Sequence, residues 1–148
     1  LEKEDITGKV NLSPEAHEHM TKVRAEKVQL IASKLPATEV LGEAKGDLLF
    51  LGWGSTYGAI RTATEQLQAE GLKVSQVHLR HINPLPNDLE EIMRGFKQVV
   101  IPELNLGQLS MIIRSKFLID AKGINQMNTK PLSVSDLVAK AKEFLGEL

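Results

Sequence analysis

The sequence predicts an open α/β sheet of parallel strands with helices on both faces. Three observations carry that expectation. Strand starts near Leu48, Val74, Gln98 and Ile124 recur about every 25 residues, the length of a short strand, a helix and two turns. Leu48-Leu49-Phe50-Leu51 and Gln98-Val99-Val100-Ile101 are apolar runs of the kind found where a strand is buried on both faces. Between the strands lie helical patterns that end at Gly71, Gly95 and Gly123, as a helix ends where the chain must leave its period. Right-handed crossovers then place helices on both faces and gather the functional loops at the carboxyl ends of the strands.

Taken in order, Leu1 to Leu12 is polar, has Thr7-Gly8 at its middle and shows neither helical nor strand period, so it reads as a tail or linker. Ser13-Pro14-Glu15 is a helix start, with Ser13 as N-cap and Pro14 where a missing N–H costs nothing. A helix to about Lys34 follows, with Ala16, Met20, Val23, Leu30 and Ile31 on one narrow face interrupted by Lys27, and Pro36 stops it. A helix of that kind docks on a neighbour. Residues 1–37 are thus expected to be a linker with a connector helix at about 13–35, and residues 38–148 the α/β domain.

Glu39-Val40-Leu41 is a short edge-strand candidate before Gly42. Leu48–Leu51 is followed by the turn Gly52-Trp53-Gly54-Ser55-Thr56 and a helix to about Glu70, with Gly71 at the C′ position. Val74 to Leu79 is the next strand. Asn87-Asp88-Leu89-Glu90 has the spacing of a capping box, and Gly95 closes that helix. Leu109, Ile112, Ile113 and Phe117 mark the face of a helix expected to run to Gly123. Ile124 to Met127 is the last strand. Ser133-Val134-Ser135-Asp136 caps a final helix with the stripe Val134, Leu137, Val138, Ala141, Leu145 and Leu148.

Composition narrows the function. The 148 residues carry a formal net charge of −1, 42% hydrophobic and 25% charged residues, an ordinary globular balance without an electrostatic footprint for nucleic acid or an anionic membrane. Cysteine is absent, so the chain can form neither a disulfide nor a thiolate-held iron–sulfur cluster. The start Leu1-Glu2-Lys3-Glu4-Asp5 reads as neither signal peptide nor membrane span. The expectation is a piece of a larger cytoplasmic enzyme.

Candidate chemistry lies on the carboxyl edge. Gly52, Gly54 and Gly58 approach a dinucleotide fingerprint, but Tyr57 holds the third glycine position. Ser55 and Thr56 can cap the following helix and, with its free N–H groups, would suit an anion; alternatively the glycines only make the bend. The second strand ends His78-Leu79-Arg80-His81, without the acidic residue that holds an NAD ribose, although Arg80 would tolerate a 2′-phosphate. An independent NADP-type dinucleotide-binding module is therefore the second reading. No P-loop is present.

His78 and Arg80 fall on one side of their strand, where His78 serves either as a buried, hydrogen-bonded histidine or as a base. Asn83-Pro84-Leu85-Pro86 is a stiff loop suited to docking. In Pro102-Glu103-Leu104-Asn105-Leu106-Gly107-Gln108, Glu103 is the only carboxylate of these edge motifs, open to acid–base work, to bridging His78 or to capping backbone donors. His17 and His19 face different directions on a helix and make no metal pair, and no metal site is expected.

Together, Gly52-Trp53-Gly54-Ser55-Thr56, His78-Leu79-Arg80 with Asn83-Pro84-Leu85-Pro86, and Glu103-Leu104-Asn105-Leu106-Gly107-Gln108-Leu109 resemble the C-terminal domain of the α subunit of 2-oxoacid:ferredoxin oxidoreductases, over about residues 38–148. The helix near Ser13 to Lys34 resembles the connector before that domain. The resemblance implies a transketolase C-terminal-like, three-layer α/β/α fold with a five-stranded sheet, mostly parallel, whose antiparallel edge strand would be Glu39 to Leu41. It also implies an enzyme that decarboxylates a 2-oxoacid such as 2-oxoglutarate or pyruvate on thiamine diphosphate and Mg, forms acyl-coenzyme A and passes electrons through iron–sulfur clusters to ferredoxin. Those cofactors would be held by other domains or by a thiamine-binding β subunit in a dimeric assembly. This domain would be non-catalytic, with Ser55, Thr56, His78, Arg80, Asn83, Glu103, Asn105 and Gln108 facing a partner or ligand. Relatives tend to have Thr-Gly-Lys/Arg-Pro-Phe where this chain reads Asn128-Thr129-Lys130-Pro131-Leu132, so an aromatic is replaced by Leu132.

Overall fold

The computed structural model of the chain describes residues 1–147. Leu148, the last position of the expected final stripe, lies outside the described residues. The chain forms two compact units, Leu1–Pro36 with His81–Asn87, and Ala37–Arg80 with Asp88–Leu148.

In the first unit, Leu1–Leu12 is ordered where no element was expected. A bridge joins Lys3 and Val10, and Glu4 N–H donates to Lys9 O at 3.0 Å around a turn in which Gly8 takes φ 67°. The hydrogen bonds of this arm are made by backbone groups and by the polar side chains of Glu2, Glu4, Thr7 and Asn11, which is why neither hydrophobic period shows it. Helix α1 (Pro14–Ala32) starts where the proline and Ser13 place it, Ser13 Oγ accepting from Ala16 N–H at 3.2 Å. Glu2 takes two bonds from Arg24 and a contact from His17, and the Arg24 guanidinium holds its carboxyl down to about 2. His19 pairs instead with Asp5 at 2.8 Å, so the two histidines do diverge. Ala16, Met20 and Val23 are half-buried, but Leu30 and Ile31 at the far end of the expected stripe, beyond the Arg24 that bonds the arm, are exposed.

The second unit is a five-stranded sheet in the order β1-β3-β2-β4-β5. The strands are β1 (Val40–Leu41), β2 (Gly46–Trp53), β3 (Val74–Leu79), β4 (Phe96–Glu103) and β5 (Lys122–Asn125). All pair in parallel except β1, which runs antiparallel along β3 as Val40 opposite Val77. Helices α2 (Tyr57–Ala69), α3 (Leu89–Arg94), α4 (Gln108–Phe117) and α5 (Val134–Leu145) follow β2, β3, β4 and β5 respectively. From β2 the chain steps to β3 on one side, then back across β2 to β4 and on to β5. Right-handed crossovers in opposite directions must use opposite faces, so α2 lies on one face and α3 and α4 on the other.

Strand alternation fills both layers. Leu48, Phe50, Val74 and Val100 pack with Ile60, Ala63 and Leu67 of α2 and Leu137 and Ala141 of α5. Their neighbours Leu49, Leu51, Val77, Val99 and Ile101 are buried on the other side, where α3 and α4 contact β4. Leu132 joins the α2–α5 core, so this aliphatic side chain serves packing. Gly71 sits after α2 with φ 84°, and Ser133 Oγ accepts from Asp136 N–H at the start of α5, as expected.

Several boundaries differ from the sequence reading: β2 runs on through Gly52 and Trp53, expected in the turn, and β4 starts already at Phe96. The capping box at Asn87–Glu90 does not form: Asp88 is the N-cap of α3 and its carboxylate is committed to Thr38, accepting from N–H at 2.7 Å and from Oγ1 at 2.6 Å. Helix α4 ends at Phe117 on Leu118, a left-handed residue with φ 54°, so Gly123 is free to enter β5, which is shifted earlier than Ile124–Met127. A leucine is an unexpected residue in that region of backbone space, and the sequence pattern alone points to the next glycine. Ile112 and Met111 face solvent, leaving Leu109, Ser110 and Ile113 as the buried face of α4.

Candidate functional site

The carboxyl edge is built around the divergence of two loops. After β2 the chain turns to one face, after β4 to the other, and the gap between such loops is where open parallel sheets usually bind ligands. Here the gap is bridged. Trp53, the last residue of β2, donates its indole Nε1–H to Glu103 Oε1 at 3.3 Å, Glu103 being the last residue of β4.

Glu103 has no solvent exposure. Its Oε1 also accepts from Leu109 N–H at 2.9 Å and from Asn105 Nδ2 at 3.2 Å, while Oε2 accepts from Ser110 N–H at 3.1 Å and Ser110 Oγ at 3.0 Å. Asn105 Oδ1 in turn accepts from Gly107 N–H at 2.7 Å and Gln108 N–H at 2.9 Å. The first-turn donors of α4 are therefore filled by Glu103 and Asn105. The positive end of a helix attracts an anion, and α4 has been given one from its own chain. Of the three roles left open for Glu103, capping backbone donors is the one the geometry adopts. Gly107 makes this reach possible with φ 90°, and a Cβ there would come within 3.1 Å of Asn125 Nδ2, which itself donates to Asn105 O.

The start of α2 is organised differently. Residues Gly54–Thr56 form one 3-10 turn before α2. Thr56 is buried and its hydroxyl serves Trp53, accepting from N–H at 3.2 Å and donating to O at 2.8 Å. The expectation that Thr56 offers a free hydroxyl to an anion is corrected on this point: the tight turn brings Oγ1 back on its own backbone. Ser55 is exposed and neither it nor Thr56 makes a side-chain cap on α2.

His78 is half-buried beside this turn, paired in register with Gly52. Its ring meets that of Tyr57 edge-on, centroids 5.0 Å apart at 75°. It is not the hydrogen-bonded histidine expected, since Nδ1 is buried without a partner. Burial first, and the Arg80 charge second, push its pKa below the ordinary value. Gln76, two residues earlier, is buried with its Oε1 also unpartnered, its Nε2 directed to Tyr57 O at 3.5 Å. Arg80 and Gln108 are exposed, and Asn83 is exposed within the segment that belongs to the first unit.

Of the eight candidates, the structure thus brings Glu103, Asn105 and the backbone of Gln108 into one network, and sets Thr56 and His78 against Gly52. Sequence reasoning missed Trp53 and Ser110. Glu103 and Asn105, five and three residues ahead of α4, are usable signals of a filled helix start and so of Ser110, whereas Trp53 is hidden inside a glycine motif. Among the described residues no group of three His, Cys, Asp or Glu could hold a metal ion, and no helix is long and apolar enough to cross a membrane.

Comparison with known proteins places this architecture. Residues 46–137 match the family described as pyruvate:ferredoxin oxidoreductase core domain II. The chain is 37% identical over 146 residues to 2-oxoglutarate oxidoreductase subunit KorA of Mycobacterium tuberculosis, covering 98% of this chain and 21% of that protein. Subunit alpha of 2-oxoacid:ferredoxin oxidoreductase 2 from Aeropyrum pernix is 29% identical over 147 residues, 95% of this chain and 23% of the relative. The solved 2-oxoglutarate:ferredoxin oxidoreductase from Magnetococcus marinus, with 2-oxoglutarate, coenzyme A and succinyl-CoA bound, superposes with a TM-score of 0.90 at 33% identity, over 97% of this chain and 26% of that one. A split-gene transketolase shares the fold at a TM-score of 0.58 and 22% identity, over 74% of this chain and 41% of that one. The chain spans about a fifth to a quarter of the length of these oxidoreductase relatives. With five strands in this order, one antiparallel edge and a match over residues 46–137, the chain belongs to the core domain II family of pyruvate:ferredoxin oxidoreductases and has their transketolase-like fold.

Proposed function

We propose that this chain is a scaffold and interface domain, itself non-catalytic, of the α subunit of a thiamine diphosphate-dependent 2-oxoacid:ferredoxin oxidoreductase in the cytoplasm. The whole enzyme would decarboxylate a 2-oxoacid oxidatively, deliver the acyl group to coenzyme A and pass electrons through iron–sulfur clusters to ferredoxin. The observation that carries the reading is the Trp53–Glu103 bridge over a helix end already filled by Glu103. The crevice this topology would lend to a ligand is used for holding two loops in place.

The donor set supports assigning the cofactors elsewhere. The chain has no cysteine for clusters, and no group of three metal-binding side chains among the described residues for the Mg that accompanies thiamine diphosphate. A thiamine-binding β subunit and the remaining domains of the α subunit, in a dimeric assembly, would supply them. Ser55, His78, Arg80, Asn83 and Gln108 are the residues offered to partners or ligands, with Thr56, Glu103 and Asn105 shaping the loops that present them.

The test is to replace Arg80 and Glu103 together in the whole complex and follow assembly by sedimentation and turnover with 2-oxoacid and coenzyme A. Reduced assembly or turnover is expected; normal values for both would sink the assignment. The NADP-type module is separated by calorimetry of the 148-residue chain with NADPH and coenzyme A, since only such a module would bind NADPH tightly.

A further inference from the structure

His78 sits where its two ring nitrogens have different surroundings. Nδ1 is buried and unpartnered beside Gly52, whose Cβ, if present, would stand 3.4 Å from it. Nε2 is not among the buried, unpartnered atoms of the described residues, and the residue as a whole is half-buried. A neutral imidazole carries one N–H and one bare nitrogen. An N–H buried without an acceptor is the costlier orphan, so the proton belongs on Nε2. Three features oppose a second proton: partial burial, the nearby Arg80 charge and the positive end of α2, whose first residue Tyr57 lies against the ring. These features favour a neutral ring whose N–H is on Nε2.

Arg80 follows two residues later and is exposed. Each of the other arginines, Arg24, Arg61, Arg94 and Arg114, has a carboxylate partner, and among the described residues Arg80 has none. We propose that His78 and Arg80 form a recognition pair for an anionic oxygen of a phosphate or carboxylate, the Nε2–H and the guanidinium both donating to it. The proposal deepens the reading that the carboxyl edge of this sheet faces a ligand or partner. It also fits the neighbouring α4, whose first turn is already occupied by Glu103.

Long-range proton–nitrogen correlation spectra of the labelled 148-residue chain near neutral pH read the tautomer directly. A neutral Nε2–H ring is expected; an Nδ1–H tautomer or an imidazolium would overturn the proposal. Titration with inorganic phosphate and, separately, with acetate should move the His78 and Arg80 side-chain signals saturably, and the stronger of the two names the ligand class. Arg80→Gln should weaken that binding about tenfold, the scale of one charge-assisted hydrogen bond. His78→Gln, which keeps an N–H donor close to the Nε2 position, should retain binding that His78→Leu loses. Flat titrations with both anions, or equal binding by His78→Leu, would overturn it. These readouts need no assembled enzyme, so their failure is distinct from failure of the scaffold assignment.

Discussion

Trp53 and Glu103 are fifty residues apart in sequence and one hydrogen bond apart in space, indole Nε1 to carboxylate Oε1 at 3.3 Å. That bond ties the end of β2 to the end of β4 beyond their last paired residues, Phe50 and Val100. The ladder stops, and the side chains take over.

Glu103 is the residue on which this edge depends most. Glu103→Gln keeps the volume but turns an amide nitrogen toward donors that need an acceptor, so a loss of about 2–4 kcal/mol is expected in urea unfolding. Trp53 is the only tryptophan, so its emission should change in the same variant even before unfolding. An unchanged midpoint and spectrum would contradict the network.

Trp53→Phe removes one of the donors to a carboxylate that keeps four others, and should cost only about 1 kcal/mol beyond any change in packing. Because the two residues touch, a double-mutant cycle with Glu103→Gln should be non-additive. Additive losses would show that the bond carries no energy.

Gly52→Ala tests the packing against α2. The new Cβ would meet Ile60 Cδ1 at 2.6 Å and Thr56 Oγ1 at 3.2 Å. Ile60 is fully buried and cannot swing into solvent, so a cost of about 1–3 kcal/mol is expected in thermal or urea unfolding. At Gly58 an added methyl group would find nothing within 4 Å, and Gly58→Ala should be neutral or slightly stabilising within α2.

The pH dependence follows from His78. Its folded-state pKa lies below the ordinary 6.5, so between those two values the unfolded chain binds the proton and the folded one does not. Stability contributed by the neutral ring is present above pH 6.5 and falls as pH drops toward the folded pKa, below which this contribution changes no further. Urea midpoints measured across that window should decline in the parent chain and decline less in His78→Gln.

Much of the fold was legible in the sequence because buried parallel strands leave continuous apolar runs and α2 and α5 leave clear stripes. The edge strand Val40–Leu41 was placed by its position before Gly42, and its antiparallel sense came from the resemblance, which periodicity does not encode. The end of α4 was misplaced because Leu118 adopts a backbone state in which sequence reasoning looks for glycine. At the site, residue types marked the right loops but not their partners. Whether Glu103 would face His78, a substrate or the helix after it depended on where β4 ends relative to β2, a register that only the sheet defines. Asp88 shows the same limit, since its partner Thr38 is distant in sequence.

The two borders of the sheet are a two-residue strand and a four-residue strand, the second carrying Lys122 and a glycine. A border that short offers a foreign β-strand few hydrogen-bonding sites, and a lysine on it makes stacking of copies side by side unfavourable. The central strands, whose apolar runs would aggregate readily if unpaired, are shielded within the folded unit by weak strands at either end. Replacing Lys122 and Gly123 of β5 with β-branched residues should therefore show itself first as sheet-to-sheet self-association in light scattering.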